Sequence, residues 1–545
     1  MTVAMIIFKI SCILFLSGWN VTNGFAPVAM QRRNHCVSST AFQLDMAADL
    51  NTLTQDLNSA IENCQPEFIK TCKVKVGLSK THRLGLMVTS PMKQNDVALA
   101  IPYDDQIVFS PDLATKTIYK GILPNGYDGW TGDNGLIALL LLNELAKVGS
   151  PGAGIPFKRK PEAQALISAW IKALPSPEEM KSLHPIMWEE DDQEILQSSS
   201  TKKVYRLLDD IEEDANWLDE KIWSKNKDTF PETVVLNGEI YPCFSPKGFS
   251  WAMSIVSSRS VFVDGSLRLI PVLDMINHDT VGVYEVTGGN MGTFGTTKGA
   301  EIKVGEGRKY SPGDEIFASY GPKSAGEYLL EHGFVPDNAR LTSVAEITFE
   351  CDPDDRFYDD KLDILEFETY DSAPMEPVQS FDLVSAVGRD GEPDPAMIQF
   401  LRLVKLGGKD AFLLESVFRK EVWEFMSMPV SEVNEKAVLD EITAACNKAL
   451  SDMESTPMFE ETEENKNSPA SLCAIVRESE HKALTRTLEF VGREKEALDL
   501  KEYYQTRRLK DLGLDSEWSP DDKPPTGDED FLDYGQTRIP GSLDF

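Results

Sequence analysis

The chain has 545 residues, which exceeds one ordinary hydrophobic core and predicts about two to four folded units. Its formal net charge of −34 argues against binding to nucleic acid, because proteins that bind a phosphate backbone present a basic surface. An acidic surface fits either solvation alone or a basic protein partner. The eight cysteines are scattered, without a C-x-x-C pair or the Cys/His spacing of a zinc site, so we expect reduced thiols and no metal.

The N-terminus has the composition of two targeting segments. Residues 1–24 contain one early cation, Lys9, and an apolar run too short to span a bilayer, which predicts a signal peptide. Residues 25–46 contain two arginines, several hydroxyl side chains and no acid before Asp45, as in a transit peptide. The junction at Phe25 resembles the presequences of algae with secondary plastids. This resemblance implies that the mature protein is located in the chloroplast stroma and is not associated with a membrane. Plain secretion is the alternative, and the disulfide-poor pattern counts against it.

The next part of the chain predicts a β-rich unit that helices divide. A helix with one polar and one apolar face begins near Ala47, and short β-rich runs separated by turn signals fill Cys72–Ser110. Helical periodicity then prevails over about 130–255. Strand-like runs return in "LRLIPVLDM", "VYEVTGG", "AEIKVGEG" and "EIFASYG".

The remainder of the chain predicts a second, mostly α-helical domain at 345–515. An acidic, proline-containing stretch leads into long helical patterns, two of which flank the polar loop "ESTPMFEETEENKNSPAS". Residues 516–545 have few apolar side chains and several prolines and glycines, so we expect a flexible acidic tail.

Four stretches stand out as candidate sites: "HRLGLMV", "SSRSVF", "LIPVLDMINHDT" and "GDEIFASYGPKSAGEYLLEHGF". Each has a plainer interpretation alone. Gly85 can be a turn residue, Asn277 and His278 a polar turn after a strand, and Tyr320 a half-buried anchor. In this order they resemble the SET-domain methyltransferases, and most of all the class of Rubisco large-subunit lysine methyltransferases, over roughly residues 60–515.

The resemblance implies an α+β fold. A β-rich SET domain at 60–340 carries a helical insertion at about 130–255, and a mostly α-helical substrate-binding domain follows. The family threads its chain into a pseudoknot, which would bring "DMINHD" and "FASYG" side by side. The implied enzyme is a protein-lysine N-methyltransferase that uses S-adenosylmethionine, acts on a stromal protein such as the Rubisco large subunit or fructose-bisphosphate aldolase, and is a monomer.

Matching positions of the family's motifs imply the site residues. Asn and His suit a ligand with mixed polar groups, since both side chains can donate and accept hydrogen bonds. The residues expected to bind the cofactor are His82, Arg83, Leu84, Arg259, Asn277 and His278. The residues expected to bind the substrate are Arg259, Asp274, Tyr284, Tyr320, His332 and Phe334, with Tyr320 as the catalytic residue.

Arg83 stands where the family usually has a second glycine in the cofactor loop. Two further positions depart from the plant enzymes of the class: His332 replaces a tyrosine of the lysine pocket, and Val263 replaces an arginine that contacts substrate. The changes at His332 and Val263 leave open a different peptide, a different degree of methylation, or a histidine substrate, as in some relatives of this architecture. A non-catalytic scaffold that holds a partner is a further alternative. A small-molecule methyltransferase is disfavoured, because a metabolite does not need a large helical partner domain.

Overall fold

The computed structural model describes residues 39–80, 83–127, 129–198, 200–279, 286–291, 297–336, 339, 342–367, 375–386, 388–418, 421–454 and 468–511, with side chains from Leu50 onward. The chain divides into two units, Met1–Asp49 and Leu50–Phe545, and the description below concerns the second. The predicted signal peptide, most of the predicted transit peptide and the predicted tail lie outside the described residues. In the described part of the chain, no helix is long and apolar enough to cross a membrane.

The N-terminal part of this unit is a set of short strands that follow helix α1, Ser39–Cys64. The strands are β1 Thr71–Cys72, β2 Val74–Leu78, β3 Leu84–Val88, β4 Met92–Lys93 and β5 Val97–Pro102. Their apolar, β-branched composition suits a buried pleated surface, and five of the six residues of β5 are buried. The meander expected over Cys72–Ser110 is therefore present as strands, which end at the helical turn α2, Pro111–Leu113.

Helices then dominate, interrupted by one β-hairpin. They are α3 Gly132–Gly149, α4 Pro161–Ala173, α5 Pro177–Leu183, α6 Glu190–Glu194, α7 Lys203–Lys221 and α8 Pro246–Arg259, with the hairpin strands β6 Thr233–Leu236 and β7 Glu239–Pro242. Helix α3 is buried on all sides from Gly135 to Ala146, which identifies it as the centre of this helical region. Helix α8 begins at the N-cap Ser245, whose hydroxyl accepts the backbone N–H of Gly248, and ends at Arg259 in the site described below.

The chain returns to strands after α8. These are β8 Val261–Val263, β9 Ser266–Arg268, β10 Asn277–His278, β11 Val286–Met291, β12 Thr297–Lys303, β13 Lys309–Tyr310 and β14 Glu315–Ala318, followed by helix α9, Ala325–His332. One sheet has the order β1-β5-β12-β11 and a second has the order β10-β14-β3-β2. A large hydrophobic core from Leu57 to Ala318 joins these strands to the helical region.

The prediction of a strand over "LRLIPVLDM" is wrong for the second half of this stretch. Strand β9 ends at Arg268, and Leu273–Met275 forms a 3-10 turn. Pro271 has no N–H to donate to a ladder, and Val272 has φ 75°, which turns the chain sharply. Asp274 therefore lies on a tight turn and not on a strand.

The C-terminal part has its own core, from Ala345 to Leu498. Its helices are α10 Tyr358–Phe367, α11 Pro395–Val404, α12 Val422–Phe425, α13 Glu432–Glu454, α14 Pro469–Glu496 and α15 Tyr504–Asp511. It also contains a three-stranded sheet of β15 Ser343–Glu350, β16 Val378–Ala386 and β17 Arg389–Asp390. Strand β16 lies in the acidic stretch where the sequence suggested no strand, and eight paired positions with β15 stabilise it. Helix α14 packs against both long strands and against α9.

Candidate active site

Two short strands far apart in sequence build the site. Strand β10 pairs in parallel with β14, which aligns Asn277 with Phe317 and His278 with Ala318. On its other side β14 pairs antiparallel with β3, the strand that contains Gly85. The expected neighbourhood of "DMINHD" and "FASYG" is therefore present, and Tyr320 follows directly at the end of β14.

A close network surrounds Asn277. Its Nδ2 donates to the backbone oxygen of Leu84 and to Oε1 of Glu315, both at 2.8 Å. Ser79 Oγ donates to the other oxygen of Glu315 at 2.9 Å. A Cβ atom at Gly85 would lie 2.1 Å from Glu315 Oε1, so only glycine allows this approach. Glu315 is absent from the predicted site residues, and its only sequence signal is its place in "GDEIFASYG".

His278 and Tyr320 are held together. The backbone N–H of Tyr320 donates to His278 Nδ1 at 3.1 Å, and the Tyr320 hydroxyl donates to the backbone oxygen of Ile276 at 2.7 Å. Burial raises the pKa of Tyr320 to about 12, an effect that Arg259 opposes and Asp274 reinforces. The phenol is therefore protonated near neutral pH and can donate a hydrogen bond but not act as a base.

Asp274 is a fully buried carboxylate held from two sides. Arg259 Nη1 donates to its Oδ2 and to its backbone oxygen, both at 3.2 Å. The indole N–H of Trp170 in α4 is shared between both carboxylate oxygens, at 3.1 Å from each. Burial raises the pKa of Asp274, while Arg259 and Trp170 act in the opposite direction. The helical region thus contributes Trp170 to the site, a residue that the motifs did not reveal.

Aromatic rings wall the site next to Tyr320. The ring centroid of His332 lies 4.7 Å from that of Tyr320, and the centroid of Phe334 lies 6.3 Å from it. Tyr328, which the sequence analysis missed, stacks at a tilt against His278 and Phe334. Its position in α9 is set by the capping box of Ser324 and Glu327 and by Gly333, which ends the helix in the left-handed conformation.

His332 is neutral in this environment. Its Nδ1 lies 3.3 Å from the backbone oxygen of Ser258, and because a carbonyl oxygen only accepts, Nδ1 carries the proton. Burial lowers the pKa of His332 to about 4. Its Nε2 is buried and has no hydrogen-bond partner, since Glu331 Oε2 lies 3.9 Å away. His332 thus provides an uncharged ring with an acceptor nitrogen. By the family resemblance, the plant enzymes have a tyrosine at this position of the lysine pocket.

A cavity of about 490 Å³ opens beside these groups. Of the predicted residues, those that line it are Arg259, Asp274, Tyr320 and His332. The lining also includes Phe262 of β8, which is 72% exposed, and the buried Val263. The volume suits a side chain or small ligand.

The remaining predicted residues lie around this cavity or outside the described residues. Leu84 and Asn277 meet on the β3 side of the sheet. The side chain of Arg83 points to the helical region, where Nε donates to Glu179 Oε1 at 3.0 Å and Nη1 donates to the backbone oxygen of Ala173. His82 and Tyr284 lie outside the described residues, so their roles stay predictions. Among the described side chains, no group of three or more His, Cys, Asp or Glu could hold a metal.

Comparisons with known proteins show the family to which this chain is related. Residues 352–484 match the family model "Rubisco LSMT substrate-binding". The chain is 30% identical over 450 residues to the chloroplastic [fructose-bisphosphate aldolase]-lysine N-methyltransferase of Arabidopsis thaliana, covering 79% of this chain and 82% of the relative. It is 30% identical over 464 residues to the chloroplastic Rubisco large subunit N-methyltransferase of Pisum sativum, covering 83% and 84%.

A solved structure supports the same relationship. The crystal structure of the SET domain of LSMT bound to lysine and AdoHcy aligns with a TM-score of 0.66 and 25% identity, covering 89% of this chain and 98% of that chain. The predicted family, α+β fold, enzyme class and cofactor are confirmed. This chain belongs to the Rubisco LSMT class of SET-domain protein-lysine N-methyltransferases.

Proposed function

We propose that this methyltransferase modifies a lysine of the Rubisco large subunit, of fructose-bisphosphate aldolase, or of both. The supporting observation is that two methyltransferases named for these substrates each match about four fifths of the chain, while residues 352–484 match the Rubisco LSMT substrate-binding model. A protein substrate and a plastid location agree with both relatives. We further propose that the protein is located in the stroma of a secondary plastid and is a monomer. We also propose that its substrate-binding domain comprises residues 345–515.

The residues present fit S-adenosylmethionine on the side of β3 and β10. Gly85 lets the polar side chains of Glu315 and Asn277 approach the β3 backbone, because a Cβ there would lie 2.1 Å and 2.9 Å from them. We assign the backbone around Arg83 and Leu84, together with Asn277 and His278, to the cofactor. Arg259 lines the cavity and contacts Asp274, and we assign it to both the cofactor and the substrate. We also assign His82 to the cofactor because of its position in the motif.

The cofactor supplies an electrophilic methyl group on a sulfonium. The lysine nitrogen must arrive neutral to attack it, and deprotonation at pH 7 costs roughly 4–5 kcal/mol from a reference pKa near 10.4. Walls of low polarity, here Tyr320, His332 and Phe334, reduce this cost by disfavouring the ammonium. The Tyr320 hydroxyl and the backbone oxygen of Ile276 lie 2.7 Å apart and orient the amine. The carbon–sulfur bond breaks as the carbon–nitrogen bond forms, and the released proton goes to water.

On the substrate side, Asp274 and Arg259 form a buried charged pair that lines the cavity. We assign them to positioning the lysine stem, with Tyr284 as a further wall by its motif. The alignment of the amine with the methyl group is the main requirement of such a transfer, and rigid, hydrogen-bonded side chains meet it. Neither His332 nor Tyr320 is suited to be the general base near neutral pH, because burial lowers the pKa of His332 to about 4 and raises that of Tyr320 to about 12.

Labelled S-adenosylmethionine and a stromal extract test this function. The full chain is expected to label a band that mass spectrometry identifies as one of the two proteins methylated on lysine. Tyr320→Phe is expected to lower the labelling rate at least about a hundredfold, since the hydroxyl lies at the reacting centre. Tyr358→Phe in α10 is the matched control and should label normally. An absence of labelled protein, or label on histidine, would contradict the proposal.

A further inference from the structure

Glu315 opens β14 with a partly buried carboxylate, and neither a motif nor a relative assigns it a role. Its two oxygens accept hydrogen bonds from Ser79 Oγ at 2.9 Å and from Asn277 Nδ2 at 2.8 Å. A carboxylate can accept about four hydrogen bonds, so each oxygen keeps room for another donor. The side chain also lies directly over Gly85, at the point of closest approach between β3 and β14.

The two partners of Asn277 determine which way its amide faces. Nδ2 lies 2.8 Å from the Leu84 carbonyl oxygen and 2.8 Å from a Glu315 oxygen, and both of these atoms only accept hydrogen bonds. The amide nitrogen must therefore point to them, which commits both of its N–H groups. The side-chain oxygen of Asn277 is left as an acceptor. Glu315 and Leu84 together make Asn277 an acceptor toward any ligand beside it.

Among the described residues, no cation forms an ion pair with Glu315, and its hydrogen-bond donors, Ser79 and Asn277, are both neutral. A carboxylate removed from bulk water is stabilised by a positive group at short range. Two acceptors, one of them charged, thus lie side by side next to Gly85. A primary ammonium group, with three N–H donors and a positive charge, complements them.

We propose that Glu315 binds the α-ammonium group at the amino-acid end of S-adenosylmethionine, together with the side-chain oxygen of Asn277. This rests on the proposed methyl transfer and adds a residue and a chemical selectivity to it. Glu315 also holds the amide of Asn277 in its accepting orientation. The site accordingly prefers ligands with a free ammonium over ligands that share the adenosine and thioether but lack that group.

Calorimetric titration of the full chain tests the assignment without methyl transfer. The probes are S-adenosylhomocysteine and its deaminated analogue, in which hydrogen replaces the α-ammonium. Glu315→Gln keeps an acceptor for Asn277 and removes the charge, so S-adenosylhomocysteine is expected to bind roughly tenfold more weakly, as for the loss of one charge-assisted hydrogen bond. The affinity for the deaminated analogue is expected to change less than about twofold.

Two further variants sharpen the test. Glu306→Gln removes one exposed carboxylate from the same region of the chain and should leave both affinities unchanged. Glu315→Asp keeps the charge and is expected to retain most of the preference for the ammonium ligand. Equal losses for both ligands in the Gln variant, or no loss for either, would overturn the role of Glu315. If the wild-type chain binds neither ligand, the proposed function itself fails, which separates the two conclusions.

Discussion

Trp170 donates one indole N–H to both oxygens of Asp274, at 3.1 Å from each. Trp170 is fully buried in α4, and Asp274 lies on the turn after β9, 104 residues later. The helical region is therefore more than an addition to the surface of the β-rich unit. It supplies a hydrogen bond that favours the charged form of the buried Asp274 carboxyl group, the group that Arg259 contacts.

Removal of the Trp170 indole is expected to shift the pH dependence of kcat/KM. Burial raises the pKa of Asp274 and Trp170 opposes that shift, so Trp170→Phe should raise this pKa further. The protonated acid no longer pairs with Arg259, and the acidic limb of the kcat/KM profile should move to higher pH. Trp223→Phe is the matched control, because Trp223 is equally buried but its indole N–H has no hydrogen-bond partner. Identical profiles for both variants would refute the positioning role of Trp170.

Gly85→Ala is expected to impair cofactor binding. The new Cβ would lie 2.1 Å from Glu315 Oε1 and 2.9 Å from Asn277 Nδ2, so both side chains must be displaced and the hydrogen bond between them is disrupted. We expect about 1–3 kcal/mol of lost stability, as for overpacking, and at least tenfold weaker binding of S-adenosylhomocysteine. Thermal unfolding and calorimetry measure the two effects.

The partner glycine provides the control for this substitution. Gly77 pairs with Gly85 across β2 and β3, but a Cβ there meets only the flexible side chain of Met87, at 2.8 Å. Gly77→Ala should therefore cost less stability and leave cofactor affinity nearly unchanged. A Gly77 variant as defective in binding as the Gly85 variant would show that general strain of the hairpin causes both effects.

His332 is expected to make stability depend on pH. Burial lowers its pKa to about 4, below the unfolded value near 6.5, so the unfolded chain binds more protons between these pH values. The free energy of unfolding thus falls as pH drops from 6.5 to 4, by up to about 1.4 kcal/mol per pH unit for this proton. The charged or titratable groups around the ring are Lys323, Glu331, His184 and His278.

Urea unfolding of His332→Phe between pH 4.5 and 8 tests this expectation. The variant should lose the slope due to one proton below pH 6.5 and keep the remaining slope, to which His184 contributes because burial also lowers its pKa to about 4. Above pH 7 the curves of the variant and the wild type should run parallel. Parallel curves over the whole range would show that His332 titrates alike in the folded and unfolded chains.

Phe262 is expected to contact the protein substrate beside the target lysine. It is 72% exposed at the cavity mouth, where the neighbouring Val263 replaces the expected arginine. Phe262→Ala should raise KM for the protein substrate about five- to tenfold, as for loss of an interfacial aromatic, and should not change stability or binding of S-adenosylhomocysteine. Ile240→Ala, which alters a 75% exposed apolar residue on β7, is the control. Unchanged KM in the Phe262 variant would rule out this contact.

The sequence was sufficient to predict several strands and part of the candidate site. The strand-like run "EIFASYG" predicted strand β14, and the glycine of "RLGL" predicted a close backbone approach. The family resemblance implied that "DMINHD" and "FASYG" lie side by side, and the β10–β14 pairing confirms this. Motif order placed Arg259, Asp274, Tyr320 and His332 in one site, and the structure brings all of them to one cavity. Such features depend on neighbouring residues and on backbone geometry, which the sequence contains directly.

Only the tertiary structure revealed Trp170, Tyr328 and Glu315 as parts of the site. An indole on a helix, a tyrosine in an amphipathic pattern and an acid that opens a strand are all common, and their partners lie far away in the chain. Strand β16 was missed for the same reason, since its stability comes from pairing with β15 rather than from its own composition. The turn at Asp274 likewise depends on the burial of Val272 at a positive φ. Residue types and their order determined the chemistry of this protein, whereas contacts between distant segments decided which groups hold that chemistry in place.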